Sequence, residues 1–248
     1  MLFAFVLLAT ASSALSEVAK RSDTIGLSAG ITDVPLNETS SKEASSSTKG
    51  FDVSTLISSS SASCFNSNGW SYVVTRAFHS SGTVDSNACP SLTAAKSAGV
   101  GTRDVYMFPC PTCSASASAQ MSTMLQSLSS CSAWSGRVWL DIEGTQYWTG
   151  SSSNNKNFYQ SLVQACKSQA HACGIYSSAY QWSSLFGSTS YSYGSDLPMW
   201  YAHYDGNPSF SDYPNYSYGG WTSPHAKQYA GTTTVCSMGI DKNYSPSF

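Results

Sequence analysis

Residues 137–144 read RVWLDIEG, an apolar, β-rich run that carries an Asp and a Glu one residue apart. Charged residues are only 10% of the chain, so an acid pair inside such a run needs a reason. A strand alternates its faces. Val138, Leu140 and Ile142 take one face; Trp139, Asp141 and Glu143 take the other. The first face suits packing against helices. The second sets two acids near the C-terminal end of a strand.

Similar runs recur on both sides of it. GFDVS (50–54), YVVTRAF (72–78), DVYMFPC (104–110), GIYSSAY (174–180), LPMWYAHY (197–204), HAKQYAG (225–231) and GIDKNY (239–244) all read as strands. Helices are predicted over 87–99, 114–134 and 154–173. Strand–helix alternation predicts an α/β fold with a parallel sheet and crossover helices. Eight strands within one domain predict a closed, TIM-barrel-like (β/α) barrel. Short late connections leave room for few helices there, so the barrel is expected to be irregular. A doubly wound open sheet is the alternative, but no glycine-rich phosphate loop follows the first strand.

The N-terminus, MLFAFVLLATASSALS, reads as a signal peptide over residues 1–16, cut near Ala14 or Ser16. Its apolar run is too short to span a bilayer. Residues 17–49 are Ser-rich, with mixed charge and no apolar period, and are expected to be a linker or propeptide before a domain at 50–248. Asn37, Asn215 and Asn243 open glycosylation sequons. Eight cysteines in an exported chain predict disulfides. CPTC at 110–113 also fits a redox motif or half a zinc site, but no second ligand pair accompanies it. The expected location is outside the cell, or the lumen of an endosome or phagosome.

The chain has 12 basic residues, none clustered, which argues against a nucleic-acid partner. Many Tyr, Trp, Ser and Asn suggest a surface that stacks and hydrogen-bonds, as carbohydrate requires. From residue 50 onward nine acids remain, and four lie within predicted strands: Asp52, Asp141, Glu143 and Asp241. Closing a barrel makes the first and last strands neighbours, which brings Asp52 to Asp241. Barrel active sites sit at the C-terminal strand ends. Carboxyls gathered there raise one another's pKa. Glu143, beside Trp139 and other aromatics, is then expected to hold a proton and act as a general acid, with ionised partners stabilising an oxocarbenium charge. The alternative is a calcium ligand set, or ion pairs from Asp141 and Glu143 to Arg137 or Arg76. Tyr106, Tyr176, Trp200 and Tyr204 are candidates for a sugar groove, and core packing explains each singly as well; Gln228 is a candidate to hydrogen-bond substrate or to cap the barrel end. His79, His171, His203 and His225 lack metal-site spacing, and no serine-nucleophile elbow accompanies them. No metal and no organic cofactor is expected.

GFDVS, WLDIEG, MWYAHY, QYAG and GIDKNY occur in the order in which similar motifs occur in the Chalaropsis-type lysozymes, glycoside hydrolase family 25. VYMFPCPTC, WLDIEGTQYW and GIYSSAYQWSSLFG resemble especially the lysozymes of amoebae and nematodes. The resemblance covers about residues 49–248. It implies a flattened (β/α) barrel and hydrolysis of the β-1,4 bond between N-acetylmuramic acid and N-acetylglucosamine in peptidoglycan; a monomer is expected. It implies Glu143 as general acid, Asp141 as its partner carboxylate, and Asp52 and Asp241 as the acids of the first and last strands. All four are present. The family's first-strand motif commonly lies near the mature N-terminus, whereas a Ser-rich stretch precedes it here.

Two rivals stand beside the enzyme. One is a non-catalytic wall-binding or regulatory protein on the same barrel. The other is a chitinase-like glycosidase. Family-18 chitinases share the D-x-E pair, but their longer pattern has Asp where this chain has Trp139 and Gly136. The domain from residue 50 holds eight basic and nine acidic residues, so steering toward anionic walls is weak and an acidic working compartment is expected.

Overall fold

A computed structural model describes residues 49–134 and 136–247. The signal peptide, the Ser-rich stretch to residue 48 and Asn37 lie outside the described residues. In chain order the elements are β1 (Lys49–Val53), α1 (Ser59–Ser67), β2 (Trp70–Phe78), α2 (Ala88–Ala98), β3 (Thr102–Met107), α3 (Ala117–Leu128) and β4 (Val138–Asp141). There follow α4 (Ser152–Gln169), β5 (Cys173–Ser177), α5 (Ala179–Phe186), β6 (Met199–Ala202), α6 (Tyr213–Tyr216), β7 (Ala226–Val235) and β8 (Met238–Tyr244).

The eight strands close a barrel in sequence order. β1 to β7 run parallel, while β8 runs antiparallel to both β7 and β1. The barrel is irregular, as expected, and its departure from a parallel sheet lies at the last strand. Only Cys236 and Ser237 separate β7 from β8, too few for a crossover, so the chain turns straight back. Both turn residues have positive φ, 52° and 61°, as a tight primed hairpin turn requires. Neither is Gly, and the Cys64–Cys236 disulfide staples this strained turn to α1.

Local chemistry sets the helix ends. Ser58, Ser116, Ser151 and Ser178 each cap a helix by accepting a backbone N–H from three residues on. Gly99 and Gly187 end α2 and α5 in the left-handed conformation. The helix predicted over 114–134 stops at Leu128, and α1 and α5 were not expected at all. α1 reads SSSASCFNS and shows no apolar stripe; it buries Ala62 and Phe65 and leaves the rest polar.

Strand alternation separates two cores. Val138, Leu140 and Ile142 pack outward in one cluster with Met121, Met124, Tyr159, Leu162 and Trp182 of the surrounding helices. Phe51, Phe65 and Trp70 anchor a second cluster beneath α1 and α2, with the Phe51 and Phe65 rings stacked 4.0 Å apart. Inside the barrel, Tyr72, Val74, Trp139, Tyr176, Trp200 and Ala226 fill the lumen. Its N-terminal end is closed by a polar knot. Asp104 accepts from Tyr72 OH at 2.7 Å, Trp139 Nε1 at 3.0 Å and Arg137 N at 2.6 Å. Gly136 is obligatory beside it, because a Cβ there would lie 1.6 Å from Asp104 Oδ1. The C-terminal end of the lumen stays open.

All eight cysteines pair: Cys64–Cys236, Cys89–Cys131, Cys110–Cys113 and Cys166–Cys173. CPTC is thus a closed local staple, and four disulfides suit an extracellular or lumenal setting. Among the described residues no helix is long and apolar enough to cross a membrane.

Candidate active site

At the C-terminal mouth lies a cavity of about 380 Å³ lined by Asp52, Tyr106, Asp141, Glu143, Tyr176, Trp200, Tyr204, Gln228 and Asp241. These are the nine residues that the sequence marked. They come together because β1, β3, β4, β5, β6, β7 and β8 each send alternate side chains into one lumen. Asp52 and Asp241 face each other directly across the β1–β8 ladder. Asp141 ends β4, and Glu143 stands two residues beyond it, half-buried on the loop.

Gln228 is the hub. Its Nε2 donates to Asp52 Oδ1 at 2.8 Å and to Asp241 Oδ2 at 3.3 Å. Its Oε1 accepts from Tyr176 OH at 2.5 Å and Tyr204 OH at 2.7 Å. The two phenols orient the amide so that its NH₂ faces the acids. Asn243 adds a second clamp: Nδ2 donates to Asp52 Oδ1 at 2.7 Å, and Oδ1 accepts from Trp200 Nε1 at 2.9 Å. Asp241 Oδ1 accepts from the Thr232 backbone N–H at 2.6 Å. Thr232 has φ of 51° within an irregular stretch of β7, so a local backbone distortion aims that N–H into the site. Asp141 Oδ1 is buried without a partner, and no hydrogen-bond donor reaches Glu143 among the described residues.

Electrostatics follow from crowding and burial. Asp52 is pushed up to about 8, first by burial and then by the charge of Asp241, against the opposing pull of the Asn243 and Gln228 amides. Asp141 is driven well above the carboxylate range by burial, Glu143 and Asp52. Burial and Asp241 raise Glu143; burial raises Asp241. Burial thus outweighs the donors, and the four groups titrate as an interacting set. Neither arginine pairs with Asp141 or Glu143. Arg76 binds Asp85 at 2.8 Å, and Arg137 lies over the Trp139 ring at 5.0 Å. Trp139 does not line this cavity: its N–H is committed to Tyr72 and Asp104 at the closed end.

Two further findings were not anticipated. Asn243, a sequon residue, is fully buried and spent on Asp52, so a glycan has no room there; Asn215 is exposed. His203, Asp205 and Asp212 bring metal-ligating atoms within 4.8 Å of one another, although their spacing does not announce it. A buried cation already serves the two acids: Lys227 Nζ lies 2.8 Å from Asp205 and 2.9 Å from Asp212.

A barrel mouth that gathers carboxyls between aromatic walls fits a glycoside hydrolase. The family model for lysozyme-like protein 1 matches residues 43–229. Probable GH family 25 lysozyme 2 of Dictyostelium discoideum is 45% identical over 81% of this chain and 92% of its own length. Lysozyme-like protein 5 of Caenorhabditis elegans is 34% identical over 82% and 93%. The crystal structure of a bacterial lysozyme from Streptomyces coelicolor superposes with a TM-score of 0.64 over 81% of this chain and 92% of its own, at 22% identity. The chain belongs to the glycoside hydrolase family 25 lysozymes.

Proposed function

We propose that the protein is a lysozyme that hydrolyses the β-1,4 bond between N-acetylmuramic acid and N-acetylglucosamine in bacterial peptidoglycan, with Glu143 as the general acid. The observation that carries this reading is the asymmetry of the carboxyl set. Asp52 and Asp241 are held by donors, whereas Glu143, raised in pKa as they are, is unclaimed by any donor among the described residues and is half-buried where Asp141 is buried. A carboxyl that keeps its proton and is free to give it suits protonation of a leaving sugar oxygen. Asp52 and Asp241, approached by N–H groups, suit stabilisation of positive charge by whichever of the two is ionised as the glycosidic bond opens. The unpartnered oxygen of Asp141 suits the N–H of a 2-acetamido group. Tyr106, Tyr176, Trp200 and Tyr204 wall the sugar, and Gln228 sets the acids' geometry.

The chain works as a monomer, outside the cell or in the lumen of an endosome or phagosome, a location in keeping with its four disulfides. The test compares wild type with Glu143→Gln in clearing suspended bacterial walls. Clearing should fall by about 10²- to 10⁴-fold while wall binding persists. Mass analysis should find new reducing ends on muramic acid. Equal clearing by both proteins removes Glu143 from the mechanism. Binding without clearing by wild type favours the non-catalytic reading.

A further inference from the structure

Among the described residues the exposed large apolar side chains are Leu56, Tyr147, Tyr180, Tyr204 and Tyr216, from 37% exposed for Tyr147 to 72% for Tyr180. Each lies in a segment that follows the C-terminal end of a strand: β1 for Leu56, β4 for Tyr147, β5 for Tyr180, and β6 for Tyr204 and Tyr216. Of these, Tyr147 and Tyr180 lie in segments that meet through the Gly144–Gln181 hydrogen bond beside Glu143.

We propose that Tyr147 and Tyr180, with Phe108 behind Tyr147, form a stacking shelf for the sugars on the leaving-group side of a glycan strand, beyond the catalytic cavity. The inference rests on the glycosidase reading above. Three segments build the shelf. Phe108 meets Tyr147 edge-on at 5.1 Å. Tyr147 packs directly on the backbone next to Glu143, since a Cβ on Gly144 would lie 2.6 Å from its ring. Gln181, adjacent to Tyr180, accepts the Gly144 N–H at 3.0 Å.

The shelf is braced in advance. The Cys110–Cys113 disulfide closes the turn after Phe108, and the buried Gln120 amide binds both the N–H and the carbonyl of Cys110 at 2.9 Å. This gives CPTC a use other than redox chemistry. Rigid aromatics bind at a low ordering cost. Residues 108–116, 144–151 and 178–184 contain no Asp, Glu, Lys or Arg. An uncharged, aromatic, hydroxyl-rich surface suits the faces of pyranose rings better than a charged peptide.

The direction follows from Glu143. The sugar whose oxygen takes its proton departs over Gly144, toward Tyr147. The opposite wall, Tyr204 on Gln228, belongs to the sugar that stays in the cavity.

The test measures binding of soluble peptidoglycan glycan strands to Glu143→Gln protein by calorimetry, comparing a short fragment that fills the cavity with a long strand. The long strand should bind more tightly. In the Glu143→Gln background, Tyr147→Ala with Tyr180→Ala should weaken long-strand binding about tenfold and bring it close to that of the short fragment. Tyr147→Phe with Tyr180→Phe should restore the difference, which separates stacking from misfolding. Retained length dependence in the alanine protein overturns the shelf. If wild type neither binds nor cleaves glycan strands, the functional reading fails first.

Discussion

Replacing Asp52 by Asn should make the protein more stable at neutral pH and less active. Asp52 is 8% exposed, and its pKa rises from the usual 3.8 to about 8 through burial and the neighbouring Asp241 charge. Between those two values the folded chain holds a proton that the unfolded chain has released. The folded state therefore binds more protons there, and stability falls as pH rises through this window. At pH 7 the chain sits about three pH units above the unfolded value, a penalty of about 4 kcal/mol at 1.36 kcal/mol per unit. At pH 4 the penalty is close to zero. Asn removes the ionisation and keeps an acceptor for Gln228 and Asn243, which both bind Asp52 Oδ1. Thermal melting of wild type and variant should thus diverge with pH: nearly equal midpoints at pH 4, and a gain of about 8–16 °C for Asp52→Asn at pH 7. Wall clearing should fall, because the site keeps an ionisable group here for function and not for stability. A midpoint change that is the same at both pH values, or a loss of stability at pH 7, would refute the reasoning.

Asp241→Asn should move the alkaline limb of the pH–activity profile to lower pH, since Asp241 helps hold the Glu143 carboxyl above its ordinary range; an unmoved limb in the residual activity contradicts this. Lys227→Met should lose about 3–5 kcal/mol in urea unfolding, because it leaves Asp205 and Asp212 without the buried ammonium between them. A loss below about 1 kcal/mol would mean that His203, 2.6 Å from Asp212, compensates. Cys64→Ser with Cys236→Ser reopens a 172-residue loop and should lower stability by about 5 kcal/mol on chain-entropy grounds, with the β7–β8 turn the first segment to exchange its amides.

The barrel was legible because its strands are short, β-branched and aromatic runs spaced by turn signals, and closure follows from their number. The antiparallel last strand was less so. GIDKNY reads as a strand in either direction; only the two-residue gap after β7 dictates the reversal, and that gap is blurred because β7 runs four residues past its apolar part, through TTTV to Val235. α1 was hidden for another reason. Its serines cap it and cover its outer face, while Ala62, Phe65 and the Cys64–Cys236 disulfide hold it to the barrel, so hydropathy carries no helical period there.

The acids were found through alternation, and alternation tells which face a side chain takes but not how deep it sits. Trp139 and Asp141 share a face of β4, about 6.6 Å apart along the strand. That distance separates the plug of the lumen from its mouth: Trp139 closes the bottom with Tyr72 and Asp104, and Asp141 opens onto the cavity. The same rule applied to β8 pairs Asp241 with Asn243 on one face, so Asn243 was within reach of sequence reasoning. The sequon drew it outward instead, as a glycan acceptor, when an Asn two residues from a lumenal acid is better read as that acid network's donor. Thr232 was beyond reach by any pattern. Its backbone N–H, not its side chain, touches Asp241, and its direction comes from a distortion of β7 that no residue type announces. Side-chain chemistry at the mouth was thus readable from strand phase, while the parts that tune it came from depth and backbone distortion, which only the closed barrel defines.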